Sequence, residues 1–481
     1  MTHDSPYAPW QLRAAFAARL SDMYGREVPA YATLVDVARE VNEDVLRERG
    51  ADAERLGSIG RVTAERHGAI RVGTPAELGQ VARIFGALGM RPVGFYDLRE
   101  AAASAVPVVS TAFRPVEGDE LARNPFRVFT SLLTPADPRF FDAGLRERLE
   151  DFLAARELFP PELLALADRA EAEGGLPGAD AERFLELAVA AFELSAEPID
   201  KAWYEELARV SAVAADIGGV RSTHLNHLTP RVLDIDELYR RMTARGVRMI
   251  DTVQGPPAWD GPDVLLRQTS FRALDEPRAL RLADGSVVSG ALRVRFGEVE
   301  ARGIALTRAG RARYDDLLAL IDERRPATPA ERAAAAREVW AAHLPRTERE
   351  LAARGLGHFT YHVVADRARD GAAPPASLDG LLDGGWVRAA PLVYEDFLPR
   401  SAAGIFQSNL EEAGVRDDAV AGAAYDSAWL SGAVGREVLD PFSLYEARER
   451  ASLEGVARQL GLPHPPAPDR AARSSSNAGR A

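Results

Sequence analysis

His67, Arg71, Val72, Glu77 and Leu78 recur as His227, Arg231, Val232, Glu237 and Leu238, at a constant offset of 160 and without a gap. Written as one pattern, H-x-x-x-R-V-x-[T/D]-x-x-E-L, the repeat puts Thr74 or Asp234 where a helix needs its N-cap. A glutamate three residues on serves as the capping-box partner. Each copy therefore sets a histidine near the start of a strand that runs into a capped helix. Two imidazoles brought together from equivalent strands could hold a divalent metal, given a third ligand. The candidate lies in LRVRFGEVEARG, where period-2 alternation puts Leu292, Val294, Phe296, Glu298 and Glu300 on one face. An ionised carboxylate on an apolar face costs several kcal/mol unless it is paired or metal-bound. Glu298, next after Phe296, is the expected ligand, and Glu300 is read as lying beyond the apolar part. Two imidazoles and one carboxylate from three strands are the ligand set of non-haem Fe(II) oxygenases, and the same set binds other divalent metals. His224, three residues before His227, projects from the opposite face of a regular strand and stands as the alternative metal ligand or as a supporting histidine.

These side chains need strands to carry them. HGAIRVG, a helix over 75–88 with Leu78, Val81, Phe85 and Leu88 on one stripe, and apolar bursts at 92–96, 106–113 and 126–133 give the order β, α, β, β, β. HLNHLTPRVLDI, a helix near 236–245, and apolar runs at 247–253, 264–274 and 291–302 repeat that order. The sequence thus predicts an α+β fold in which two βαβββ modules pair by a pseudo-twofold into one open, curved sheet with large helical insertions. The expected divisions are an N-terminal helical segment (1–55), the first module (56–138), a helical insertion (139–216), the second module (217–306), a helical and C-terminal closing segment (307–463) and a disordered tail (464–481).

Composition narrows the function. With 481 residues, 46% hydrophobic and 27% charged, the chain is globular and long enough for an enlarged catalytic unit. No cysteine is present, so disulfides, Cys-zinc sites, iron–sulfur clusters and thiol nucleophiles are excluded, and any metal must rest on His and carboxylates. A formal charge of -13 opposes attraction to nucleic acid or anionic membranes. Lys201 is the sole lysine among 59 basic residues, so arginine abundance by itself points to no ligand. The N-terminal MTHDSPYAPWQLR lacks the basic and apolar regions of an export signal, and the expected location is the cytoplasm.

Several residues carry secondary expectations. Gln268 and Ser270, in LLRQTSF, alternate onto one strand face with Leu266 and could line a pocket or be buried and hydrogen-bonded. Arg231 is as consistent with a structural ion pair as with substrate contact. His358 and His362, in HFTYH, stand at helical spacing inside a strand-like string, which assigns them structural roles. Tyr394, Glu395 and Asp396 are expected at the surface. Residues 401–409 form a candidate loop over the substrate, beginning at Ser401.

The histidine spacing resembles the vicinal oxygen chelate superfamily, whose paired βαβββ modules carry a metal histidine seven residues before the residue that opens the helix. FGEVEAR is similar to the FxEIxxR strand of 4-hydroxyphenylpyruvate dioxygenase. HGAIRVGT, HLNHLTPRVLDID, LLRQTSF, RFGEVEARGIALT and EDFLPRSAAGIFQSNL together look like the 2-oxoadipate dioxygenase/decarboxylase family, the hydroxyglutarate synthases of bacterial lysine breakdown, over roughly 31–462. The resemblance implies an Fe(II) enzyme that converts 2-oxoadipate and O2 to 2-hydroxyglutarate and CO2. His67, His227 and Glu298 would be the iron ligands and Arg71 would face the substrate carboxylate. In an extended strand Arg71 and His67 share a face about 13 Å apart, within reach of a long guanidinium bending back. Arg400 departs from the family pattern, which has a small apolar residue near the far end of the substrate, so it bears on the chain length accepted. The implied partners are a small 2-oxo dicarboxylate and O2. An extradiol-type dioxygenase, isomerase or lyase on the same scaffold, and a metal-free binding protein, are the competing readings.

Overall fold

The structure, a computed structural model, describes residues 6–100, 105–293, 295–365, 371, 373–398, 416–417 and 420–467. Thr74 caps the helix Pro75–Ala87: its side chain accepts from Glu77 N at 3.1 Å, and Glu77 accepts in return from the Thr74 and Gly73 N–H groups. Asp234 caps Ile235–Ala244 in the same way, accepting from Glu237 N at 2.9 Å. There the glutamate binds Arg240 and Arg241 instead of closing the box.

Ahead of each cap runs a histidine-bearing strand. The strands are β1 (Arg66–Val72), β2 (Arg91–Asp97), β3 (Val108–Arg114), β4 (Arg127–Leu133), β5 (Ile199–Asp200), β6 (His227–Pro230), β7 (Leu266–Phe271), β8 (Glu276–Arg281), β9 (Val287–Leu292), β10 (Gly297–Arg302), β11 (Phe359–Val363) and β12 (Val387–Pro391). One sheet runs β2-β3-β4-β1-β6, with β1 parallel to β4 and antiparallel to β6. β6 continues into β10 through a parallel bridge between Arg231 and Glu300, and Val232 N donates to Glu300 O at 2.8 Å. β10 pairs antiparallel with β7, which in turn bridges Met249 and Gln254. The second half therefore repeats the first in mirror order about the β1–β6 seam, and the fold is α+β with two modules sharing one curved sheet.

The second module departs from the sequence reading in two places. Residues 247–253 form no strand and touch β7 only through bridges. The run 291–302 is not one strand: β9 ends at Leu292 in a three-stranded sheet β5-β8-β9, and β10 begins at Gly297. Asp284-Gly285, with Gly285 at φ 84°, closes a β8–β9 hairpin that the alternation argument overlooked. Between the strands Arg295 is drawn inward to Glu276 and Glu27, which turns the chain. Leu292 is thus on a different sheet from Glu298, and Val294 lies outside the described residues.

Helices cover the sheet. Leu12, Phe16, Leu20 and Tyr24 of Pro9–Glu27 recur every four residues and pack with Phe85, Phe113, Phe126 and Phe192 on one face. On the other face Ala69, Tyr96, Phe129, Phe296 and Phe397 form a smaller core around the histidines. Helices Arg308–Glu323 and Pro329–His343 enclose a third core around Trp340 with β11 and β12. The N-terminal helices also tie the two modules together. Tyr24 Oη donates to the carbonyls of Asn226 and Phe296, at 3.0 and 2.9 Å, and Asn42 bridges Arg231 O and Leu233 N. Among the described residues no helix is long and apolar enough to cross a membrane.

Candidate metal centre

Across the seam His67 stands opposite Thr229 and His227 opposite Ala69, so the two histidines are diagonal neighbours on one face. Their ring centroids are 5.3 Å apart and the planes cross at 89°. Glu298 reaches the same point from β10: its Oε2 lies 3.4 Å from His67 Nε2 and its Oε1 3.6 Å from His227 Nε2. One donor atom from each residue lies within 4.8 Å of the others, and all three side chains are buried. Donors about 2.1 Å from a common ion stand about 3.0 Å apart at right angles, so this triad needs only a small inward shift to close on a metal.

The far sides of both rings are held. His227 Nδ1 lies 3.1 Å from Thr229 Oγ1, and His67 Nδ1 lies 3.0 Å from Glu300 Oε2, so each Nε2 is left to face Glu298. Burial pushes the His227 pKa down to about 4, keeping it a neutral lone-pair donor. Burial opposes charge on His67 too, but Glu300 and Glu298 outweigh it and raise its pKa. An electron-pair acceptor at Nε2 would meet the same need that a proton meets there. The donor set thus fits a divalent cation.

Glu300 is not beyond the apolar part, as the alternation suggested, but wholly buried behind the histidine. It can be buried because Arg302 grips both its oxygens at 2.7 and 2.9 Å. The pair opens onto a charged cluster. Glu65 takes Arg127 at 2.5 Å and Arg231 at 2.9 Å, and Glu395 takes Arg61 at 2.5 Å and Arg127 at 2.8 Å. Asp396 takes Arg114 at 2.8 Å and Tyr445 Oη at 2.5 Å. Tyr394, Glu395 and Asp396 are therefore buried rather than at the surface, because arginines from β3, β4 and β10 neutralise the acids. Arg302 also donates to the carbonyls of Tyr394 and Asp396, which seats the Phe397 ring on His67 at 4.9 Å. Phe129 and Tyr96 back Phe397, and Phe296 stacks on His227 at 5.5 Å. This aromatic wall keeps water from the histidines.

Arg71, on the histidine face of β1, is ion-paired with Asp216. Asp216 also accepts from Asn226 Nδ2 at 2.8 Å and lies 3.4 Å from His224 Nε2. His224 therefore sits in the Arg71 support and is outside the metal group; burial lowers its pKa to about 4. Gln268 and Ser270 are buried on β7 opposite Glu300 and Glu298. His358 is bonded to Glu449 at 2.7 Å, and Arg231 is bonded to Glu65. Arg400 and Ser401 lie outside the described residues. Sequence reasoning missed Asp216, Glu65, Arg127 and Arg302. Asp216, Glu65 and Arg127 act through partners tens to hundreds of positions away, a relation with no local pattern, whereas the Arg302–Glu300 pair, two residues apart on one strand, had a local signal.

The chain is similar to known proteins over most of its length. The family model for 2-oxoadipate dioxygenase/decarboxylase matches residues 16–409. The 2-oxoadipate dioxygenase/decarboxylase of Mycobacterium bovis is 58% identical over 437 residues, covering 91% of this chain and 96% of that protein. That of Pseudomonas putida is 42% identical over 467 residues, covering 95% and 98%. The crystal structure of the Pseudomonas putida hydroxyglutarate synthase in complex with 2-oxoadipate superposes with a TM-score of 0.82 at 39% identity, over 95% of this chain and 99% of that chain.

Proposed function

Because the chain belongs to the 2-oxoadipate dioxygenase/decarboxylase family, we propose that it converts 2-oxoadipate and O2 to 2-hydroxyglutarate and CO2, with Fe(II) held by His67, His227 and Glu298. The observation that carries the reading is the buried triad at the β1–β6 seam with an arginine on the same strand face. Bound there, the metal supplies a Lewis-acid anchor for a 2-oxo acid and a redox partner for O2.

The chain's own residues do the rest. Two neutral imidazoles and one carboxylate leave a divalent ion with net positive charge, which favours a dianionic substrate. Arg71 offers a planar fork to a substrate carboxylate, and Asp216 fixes the direction of that fork. Phe397, Phe129 and Phe296 exclude water from the reacting centre. The substrate supplies all four electrons that O2 takes up, two in its decarboxylation and two in the hydroxylation of the shortened chain, so no side chain is asked to act as a base and no nicotinamide is required. The N/N/O donor set favours iron as the ion, and the family resemblance supports a role in lysine breakdown in the cytoplasm. Gln268, and Arg400 with Ser401 in the segment after Leu398, remain the candidates for the rest of the substrate contact.

The test is O2 uptake by the anaerobically Fe(II)-loaded protein against 2-oxo diacids of increasing length. Uptake matched by CO2 release, greatest with 2-oxoadipate, is expected. Absence of uptake with every 2-oxo diacid would overturn the reading.

A further inference from the structure

A second concavity, about 240 Å³, lies behind His224, and none of His67, His227, Glu298 or Arg71 lines it. Its walls include Arg278 and Arg281 of β8, Arg221, Trp203 and His224. Arg278 is the informative residue. Its Nη1 donates to Ser195 O at 2.6 Å, while its Nε is buried without a hydrogen-bond partner. Glu276, two residues earlier on the same strand, is bound through both oxygens by Arg295. Burial opposes the charge of Arg278 and lowers its pKa. Elsewhere in the molecule deeply buried guanidiniums have carboxylates: Arg114 has Asp396, Arg127 has Glu65 and Glu395, Arg302 has Glu300.

Three guanidiniums, those of Arg221, Arg278 and Arg281, line the cavity. Among the described residues none of Arg221, Arg278 and Arg281 is ion-paired, and Arg221 rests on the Phe152 ring at 5.6 Å. Two acids also line the space, Glu197 and Asp200, and Asp200 caps the following helix through Trp203 N at 3.0 Å. A partly buried guanidinium with an idle N–H is costly unless an anion enters to meet it. The volume is below the roughly 300–1,000 Å³ of drug-sized sites, which suits a small ligand.

We propose that this cavity is a second anion site, taking a small carboxylate on Arg278 with Arg221 and Arg281 at its rim. The site stands apart from the reaction proposed above; only the choice of a dicarboxylate as probe follows from that reading.

The experiment is calorimetric titration of glutarate into the Fe(II)-loaded, O2-free full chain and into Arg278→Ala, Arg281→Ala and Arg71→Ala. Two binding events are expected in the unmodified protein. Arg278→Ala should weaken one of them at least tenfold and Arg281→Ala should weaken the same one less, both with unchanged circular dichroism, while Arg71→Ala affects only the other. A single event lost in Arg71→Ala alone overturns the inference and leaves the proposed reaction standing. A single event lost in Arg278→Ala alone supports the inference and counts against the Arg71 role. Absence of binding, or two events indifferent to Arg278 and Arg281, overturns it.

Discussion

Gly68 stands opposite Leu228 in the antiparallel seam, and Leu228 is the residue that occupies the place of Gly68 in the second repeat. The local twofold therefore passes through this pair. It sets His67 and His227 one step to either side, on the same face. The convergence of the histidines follows from the register alone, because a slip of one residue would turn one ring to the opposite face.

Packing at the seam supplies a test. A Cβ on Gly68 would lie 3.0 Å from Leu225 Cδ1 and 3.7 Å from Leu228 Cδ1. Gly68→Val is expected to lower stability by about 1–3 kcal/mol, as overpacking does. It should also weaken metal binding by spreading the histidines. Denaturant unfolding and metal titration would read the two effects.

The ligand assignment separates His227 from His224. His227→Ala should abolish stoichiometric metal binding, whereas His224→Ala should retain the metal and raise KM, since it disturbs Asp216 and through it Arg71. Elemental analysis of the two purified variants decides. Retention of metal by His227→Ala with loss in His224→Ala would move the ligand to His224.

Arg71 should act on binding more than on metal content. A charge-assisted hydrogen bond contributes about 1.5–3 kcal/mol, so Arg71→Ala should raise KM for the 2-oxo acid on the order of ten- to a hundredfold. Metal content should be unchanged. A variant with normal KM would remove the carboxylate role.

Glu65→Gln tests the buried charge cluster. Glu65 contacts Arg127, Arg231 and Arg302, and removing its charge leaves the buried Arg231 without a carboxylate while Arg127 and Arg302 keep Glu395 and Glu300. Breaking a buried pair from one side typically costs about 3–5 kcal/mol, so a large fall in unfolding free energy is expected. A change below about 1 kcal/mol would mean that the cluster re-pairs around the amide.

Acid should undo the same cluster. Burial alone would raise the pKa values of Glu65, Glu300 and Glu395, yet the surrounding arginines outweigh it and hold all three below their ordinary value of 4.5. Below pH 4.5 the unfolded chain takes up protons that the native state refuses, so stability present at neutral pH falls as the pH drops toward the depressed native values. Thermal melts between pH 7 and 3 should show this loss, and Glu65→Gln should flatten it.

The caps at Thr74 and Asp234 were legible in the sequence because they rest on fixed short spacings within each copy of the repeat, and the approach of His67, His227 and Glu298 followed from the duplication and from alternation about Phe296. The β8–β9 hairpin escaped because alternation runs through 291–302 without a break, whereas the turn that matters, Asp284-Gly285, lies upstream. Glu300, Glu395 and Asp396 were misplaced for a different reason. An acid is expected near water until its partner is known: Glu300 is gripped by Arg302 of its own strand, whereas Glu395 and Asp396 meet Arg127 of β4 and Arg114 of β3. Local patterns carry periodicity and caps but carry nothing about which distant charges will meet.

The pairing of β1 with β4 sets Ala69 beside Phe129 and Arg71 beside Ser131, and the bridge of Arg231 to Glu300 makes Glu300 the counterpart of Ser131 and Glu298 the counterpart of Phe129. A fully symmetric duplication would therefore ring the seam with two histidines and two carboxylates. Here one quadrant is hydrocarbon, and that asymmetry gives the centre a direction: three donors on one side, and on the other an approach walled by Phe129 and Phe397. Phe129→Glu would restore the symmetry and is expected to leave a bound divalent ion one position fewer for an incoming ligand.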